Sequence, residues 1–245
     1  MKLVTSKHPE ELLTAYETGI TSVILPEFDL CMETEQHNPH HLYNVGMHTI
    51  HAMEVIPADK VLRRAMLFHE MGKPICRETD ERGIDHFHGH PQVSEEITGK
   101  VLRRLKFDND TVYMVKKLVR CHDQYIPADE RGVRRAMWRV GEDAFPLLLQ
   151  VKKADMEAQS TFLIEEKEKN LQEVGRIYQE ILEKKQCVSL KMLAVNGKDL
   201  MDEAGYVPGK ELGTILQELL QLVIEEPELN DKRTLLKEAR QRRNR

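Results

Sequence analysis

Hydrophobic positions recur at spacings of three and four residues over most of this chain, which sets one side of an α-helix against a core. Leu12, Leu13 and Tyr16 predict a short helix over 8–20, ended by Gly19. Residues 21–26 read as a strand or as the start of a second helix, and Pro26, suited to a first helical turn, favours the helix. The run 33–41, Glu-Thr-Glu-Gln-His-Asn-Pro-His-His, is polar and contains Asn-Pro, so a loop is expected. Val45, Ile50 and Met53 predict a helix over 43–55, with His48 inside it. Pro57-Ala58-Asp59 opens the next, which carries Val61, Leu62, Ala65, Met66 and Leu67 up to His69 and stops at Gly72 and Pro74.

Residues 77–90 are polar and interrupted by glycine, which predicts a loop with a small hairpin around Glu81-Arg82-Gly83. Val93, Ile97, Val101 and Leu105 predict a helix over 92–105. Val112, Val115, Leu118 and Val119 predict another, capped by Asn109 or Asp110 and leading to His122. Beyond a loop around Pro127, an apolar helix over 144–158 carries Asp155. From Glu165 the pattern turns charged and amphipathic, with Leu171, Val174, Tyr178, Ile181 and Leu182 along one face of a helix over 165–185. A connector over 187–190 and a turn at 195–197 lead to a last strong helix over 210–225, introduced by Pro208-Gly209. No strand pattern of any length appears. The expected fold class is all-α, with one domain over 1–164 and a helical extension over 165–245.

A chain of 245 residues can bury a sizeable core. Its net charge of -5 argues against a generally polyanion-seeking surface and confines any nucleic-acid contact to a local patch. The run 232–245, with seven basic residues against one acidic, is the clearest such patch. No apolar run approaches the roughly 20 residues of a membrane span, and the first nine residues lack the apolar core of a signal peptide. Cys31, Cys76, Cys121 and Cys187 are isolated, without a Cys-x-x-Cys pair, as expected of structural thiols in a reducing cytoplasm.

Histidine changes the picture most. Of 11 histidines ten fall between His37 and His122, so one region is expected to carry the chemistry. His69 and Glu70 stand side by side at the end of a core helix, and His48, His90, His122 and Asp155 lie on or beside other helices. Each has a plain alternative: a core histidine, an exposed face for Asp155, or for His122 the negative end of a helix dipole. Together they offer the imidazoles and carboxylates that Mn, Fe, Ni, Co, Zn or Mg ions accept. His48, His69, Glu70 and Asp155 suffice for one open-sided ion, and His90 and His122 could complete a second. An ion that acidifies water and neutralises phosphate oxygens would hydrolyse phosphate esters, with Lys73 placed to hold the phosphate. His40-His41 and His86-Phe87-His88 read first as loop residues, although His41 and His88 could meet substrate.

These residues resemble the H…HD…D pattern of the HD superfamily of metal-dependent phosphohydrolases, which are helical bundles. The longer series is similar to the HD and C-terminal region of bacterial CCA-adding enzymes (tRNA nucleotidyltransferases). It runs through Leu25-Pro26-Glu27, Gln36-His37-Asn38-Pro39-His40-His41, Gly46-Met47-His48-Thr49, His69-Glu70-Met71-Gly72-Lys73-Pro74 and Phe87-His88-Gly89-His90. It continues through 102–107, Ala154-Asp155, 196–201 and 208–210. Two departures stand out: Glu70 replaces the second residue of the HD doublet, and the series begins past the nucleotidyltransferase head of that family, so no CCA addition by this chain alone is expected. The resemblance implies a phosphomonoesterase or 2′,3′-cyclic phosphodiesterase acting on nucleotides or RNA ends. It would use one or two divalent ions (Mn, Ni, Co, Fe or Mg) held by His48, His69, Glu70, Asp155, His90 and His122. Two other expectations remain open: a non-catalytic tRNA-binding module with a degenerate site, its basic tail on phosphates, or a partner of a separate head docking through the helix from Glu165.

Overall fold

The computed structural model describes residues 2–243. In chain order the elements are α1 (Glu11–Glu17), α2 (Ile20–Ile24), α3 (Pro26–Met32), α4 (Val45–Val55), α5 (Lys60–Phe68) and α6 (Lys73–Cys76). A hairpin of β1 (Glu78–Thr79) and β2 (Asp85–His86) precedes α7 (His90–Arg104), α8 (Asn109–Cys121), α9 (Glu130–Val140) and α10 (Phe145–Glu157). Then come α11 (Ile164–Glu183), a 3-10 turn at Leu190–Met192, α12 (Gly197–Ala204), α13 (Lys210–Glu225), a 3-10 turn at Pro227–Leu229 and α14 (Lys232–Arg243). The fold is all-α, as the periodicity predicts, and the antiparallel β1–β2 pair is the only sheet among the described residues. No described helix is long and apolar enough to cross a membrane. The four cysteines are free thiols.

The chain forms two compact units, one of residues 1–125 and 146–171, the other of 126–145 and 172–245. In the first, α5 packs on α4, α7 and α8, and α7 lies along α8. Phe28, Ile50, Met53, Met66, Leu67, Phe68, Leu102, Leu118 and Leu148 are fully buried in it. Side chains fix where its helices begin. Asn44 accepts from the Met47 amide to start α4, and Asp59 accepts from the Val61 and Leu62 amides to start α5. Pro26 stands at the first turn of α3, as expected. The cap of α8 is Asp108, not Asn109 or Asp110: its carboxylate accepts from the Thr111 amide at 2.8 Å.

In the second unit α13 packs against α9, α12 and α14 over Leu200, Ile215, Leu219, Val223, Ile224, Leu235 and Ala239. Two of its helices lack a clear pattern in the sequence. Arginines and Gly132 interrupt α9, although Val133, Ala136, Met137 and Val140 keep its helical stripe. The expected turn at 195–197 is the start of α12, where Asn196 and Asp199 form a reciprocal capping box. The basic run expected at 232–245 packs as a helix over its described residues, Lys232–Arg243, and buries Leu235, Leu236 and Ala239. Lys232 pairs with Asp199 and Glu203, and Arg240 and Arg243 bind the carbonyls of Glu203 and Ala204. Asn244 and Arg245 lie outside the described residues. Along the expected stripe of α11, Val174 and Ile181 are buried, Leu171 and Tyr178 half-buried and Leu182 exposed.

Candidate metal centre

Six side chains from five separate stretches of the chain meet at one place in the first unit. His48 comes from the middle of α4, His69 and Glu70 from the residues just after α5, and Asp155 from α10. His90 is the first residue of α7, and His122 follows the last residue of α8. His48 Nε2 lies 3.3 Å from His69 Nε2 and 3.0 Å from an Asp155 oxygen. His69 Nε2 is 3.6 Å from the same oxygen and 3.9 Å from Glu70 Oε1. On the other side of Glu70, His90 Nε2 stands 3.3 Å from Oε2 and 3.2 Å from His122 Nε2. Two overlapping groups result, His48/His69/Glu70/Asp155 and Glu70/His90/His122, each with ligand atoms within 4.8 Å of one another. Glu70 belongs to both.

Close backbone packing holds this arrangement. The Gly72 amide donates to Ser94 Oγ at 2.8 Å. A Cβ on Gly72 would lie 2.9 Å from that oxygen and nearer still to the His90 carbonyl, so only glycine lets the turn after α5 approach the start of α7 this closely.

The other nitrogen of each imidazole decides what the site can hold. His48 Nδ1 faces the Ala158 carbonyl at 3.2 Å, His69 Nδ1 that of Met66 at 2.6 Å, His90 Nδ1 that of Phe87 at 2.9 Å and His122 Nδ1 that of Val119 at 2.7 Å. A carbonyl only accepts, so each Nδ1 carries a hydrogen, and in the neutral ring each Nε2 presents a lone pair. Between His48 and His69, 3.3 Å apart, a proton on Nε2 is instead donated to Asp155, while with neutral rings lone pairs face each other at 3.2 Å between His90 and His122. A cation between them turns that repulsion into coordination, and the Nδ1–H···O=C bonds are the outer contacts that metal-bound histidines make. Glu70 Oε2 gives the same indication: it is buried with no hydrogen-bond partner. The residues therefore fit one or two divalent ions.

The electrostatics agree. Burial would favour protonated carboxyls, but Lys73, His90, His69 and His122 hold Glu70 ionised well below the usual range. Asp155 is likewise held well below it, against burial, by hydrogen bonds from His48 and His69. For His122, burial and then the neighbouring His69 push the imidazole down to about 3, which keeps it a neutral ligand. For His69, burial opposes the charged form but Asp155 and Glu70 outweigh it and raise the pKa.

Lys73 lies at the edge of the cluster, almost fully buried. Its ammonium contacts Glu70 Oε1 at 2.8 Å, Gln36 Oε1 at 2.7 Å and His41 Nε2 at 3.2 Å, and stands 5.0 Å over the Phe87 ring. His41 thus joins the site through Lys73, and its ring also meets His48 edge-on. His88 does not join it: exposed in the hairpin region, it stacks on His86. Residues not foreseen here are Gln36, Gln159, which donates to Asp155 at 3.2 Å, and Lys152, which donates to the His122 carbonyl at 2.6 Å. Amide and lysine side chains carry no ligand signature, so only Gln36, inside the histidine-rich loop, had a sequence signal.

Comparison with known proteins adds a family. Residues 78–239 match the family described as tRNA nucleotidyltransferase domain 2. The chain is 30% identical over 223 residues to the A-adding tRNA nucleotidyltransferase of Deinococcus radiodurans, covering 86% of this chain and 49% of that protein. It is 33% identical over 209 residues to the CC-adding tRNA nucleotidyltransferase of Thermus thermophilus, covering 83% of this chain and 46% of that protein. The chain spans about half the length of the curated relatives it matches.

Proposed function

Because the chain belongs to the tRNA nucleotidyltransferase family, we propose that its histidine-rich unit is a divalent-metal-dependent phosphohydrolase of the HD type, acting on phosphate esters of nucleotides or RNA ends. His48, His69, Glu70 and Asp155 would hold one ion, and Glu70, His90 and His122 a second. Glu70, one methylene longer than the aspartate of an HD doublet, supplies an oxygen to each group. Such an ion, when bound, neutralises phosphate oxygens and acidifies water. Around it the chain's own residues set the charge: Glu70 and Asp155 stay ionised and His122 stays neutral. Lys73, fixed by Glu70, Gln36 and His41, presents an ammonium to the charge that builds on a phosphoryl group.

The observation that carries this reading is the convergence of four Nε2 atoms, each with its Nδ1 tied to a backbone carbonyl, on Glu70 and Asp155. Metal analysis of the purified chain should find bound divalent ion, and a screen of phosphate esters with Mn, Ni, Co and Mg should find turnover. His69→Ala should abolish metal-dependent hydrolysis of a model phosphodiester while the helical circular dichroism stays unchanged. Full activity in that variant would refute the site.

A second reading, tRNA binding without catalysis, is favoured by the family match extending through residue 239, far beyond the histidine cluster. Metal-free protein that shifts tRNA at low salt, with affinity falling steeply as salt rises, would support it.

A further inference from the structure

A further lysine stands beside the cluster and takes no part in the proposed metal centre. Lys167, in the first turn of α11, directs its ammonium to Gln159 Oε1 at 2.7 Å and to His40 Nδ1 at 3.2 Å. Gln159 in turn donates to Asp155 at 3.2 Å, so Lys167 stands one side chain away from a proposed metal ligand. His40 and His41 are neighbours in sequence, and each receives one lysine: Lys167 on His40, Lys73 on His41. An ammonium can only donate, so both imidazoles are neutral at these contacts. Lys73 has the Glu70 carboxylate as counter-charge, whereas both bonds of Lys167 go to neutral groups. A lysine in the first turn of a helix also faces the positive end of the dipole, an unfavourable place for a cation. Burial lowers its pKa, with the nearby Asp155 carboxylate opposing.

An aromatic surface adjoins this charge. Phe162 is 44% exposed and meets the His40 ring edge-on at 4.9 Å between centroids. The segment that carries it is fixed in place. The Ser160 amide donates to the His40 carbonyl at 2.9 Å, the Phe162 amide to Ser160 Oγ at 3.2 Å, and the Ser160 hydroxyl to the Pro39 carbonyl. Leu163 turns the chain into α11 with a left-handed φ of 57°. His40 therefore touches a cation on one side and an exposed ring on the other.

We propose that Lys167 and Phe162, joined by His40, form a substrate subsite beside the metal centre, with Lys167 taking a phosphoryl oxygen and Phe162 the face of a planar ring. The ligand class is a nucleoside phosphate, and the inference rests on the phosphohydrolase reading and narrows its substrate. Charge-assisted bonds to phosphate and base–aromatic contacts are each strong enough to change affinity about tenfold.

The test is calorimetric titration of the full chain in magnesium with two probes, inorganic phosphate and adenosine monophosphate, alongside metal content per chain. Lys167→Met should weaken both probes at least about tenfold, and Phe162→Leu should weaken adenosine monophosphate alone. Neither should change the bound metal. Unchanged phosphate affinity in Lys167→Met would overturn the assignment, as would metal lost in step with affinity, since Lys167 would then act by holding Gln159 and Asp155. An equal loss of both probes in Phe162→Leu would do the same for the ring contact. Metal-free wild-type protein that still binds phosphate through Lys167 removes the hydrolase reading and leaves the subsite standing. Metal-loaded protein indifferent to phosphate does the reverse.

Discussion

Glu70 and Lys73 make a buried ion pair at 2.8 Å, and Glu70 also faces three imidazoles. Removing one partner of such a pair leaves the other charge buried without compensation, which costs about 3 kcal/mol. Lys73→Met should therefore lower the unfolding free energy of chelator-treated protein by about that amount in urea titrations. With saturating divalent ion the loss should shrink, because the ion takes over the neutralisation of Glu70. An equal loss in both conditions would mean that no cation reaches Glu70. The ligands themselves could be nominated from sequence because histidine is rare and its concentration over 37–122 is visible without coordinates. Gln159 and Lys167 could not, since an amide or a lysine in a polar stretch looks the same whether it meets solvent or a buried acceptor.

Between elements, Asp85 on β2 ties the hairpin to the loop that carries His40 and His41. Its carboxylate accepts from Thr79 Oγ1 at 2.6 Å and the His37 amide at 2.9 Å, and pairs with Arg77 at 3.0 Å. Burial would raise its pKa, but Arg77, Thr79 and His37 outweigh burial and lower it. A carboxyl with a depressed folded pKa binds its proton more tightly in the unfolded chain, so its stabilisation is complete above the unfolded value and disappears as the pH falls towards the folded one. Asp85→Asn should cost about 2 kcal/mol at neutral pH, and the gap from wild type should narrow as the pH drops below about 4. Urea titrations across that range measure it, and a gap independent of pH would show that the charge is not what fixes the loop. At this scale the long apolar helices were legible, while α9 and α12 were not. Arginines dilute the stripe of α9, and the capping pair Asn196/Asp199 resembles an ordinary turn until the residues after it are seen to be helical.

Across the whole molecule the basic C-terminal run has a packing role as well as a charge. Leu235 is fully buried in the core of the second unit, so Leu235→Ala should destabilise that unit by about 2–5 kcal/mol in thermal or urea unfolding. A solvated RNA-binding tail would tolerate the same change without loss. The basic residues could be counted from the sequence, but their partners Asp199, Glu203 and the Ala204 carbonyl lie 29 to 39 residues away. The excursion of residues 126–145 into the second unit is likewise a matter of which apolar faces find each other. Periodicity and side-chain chemistry are local, so the helical character and the residue types able to bind a cation are readable along the chain. That imidazoles from α4, α7 and the ends of α5 and α8 point their Nε2 atoms at one another follows from how the helices pack. The backbone carbonyl that faces each ring and the packing of Gly72 against α7 set that direction, and neither is encoded at the histidine itself.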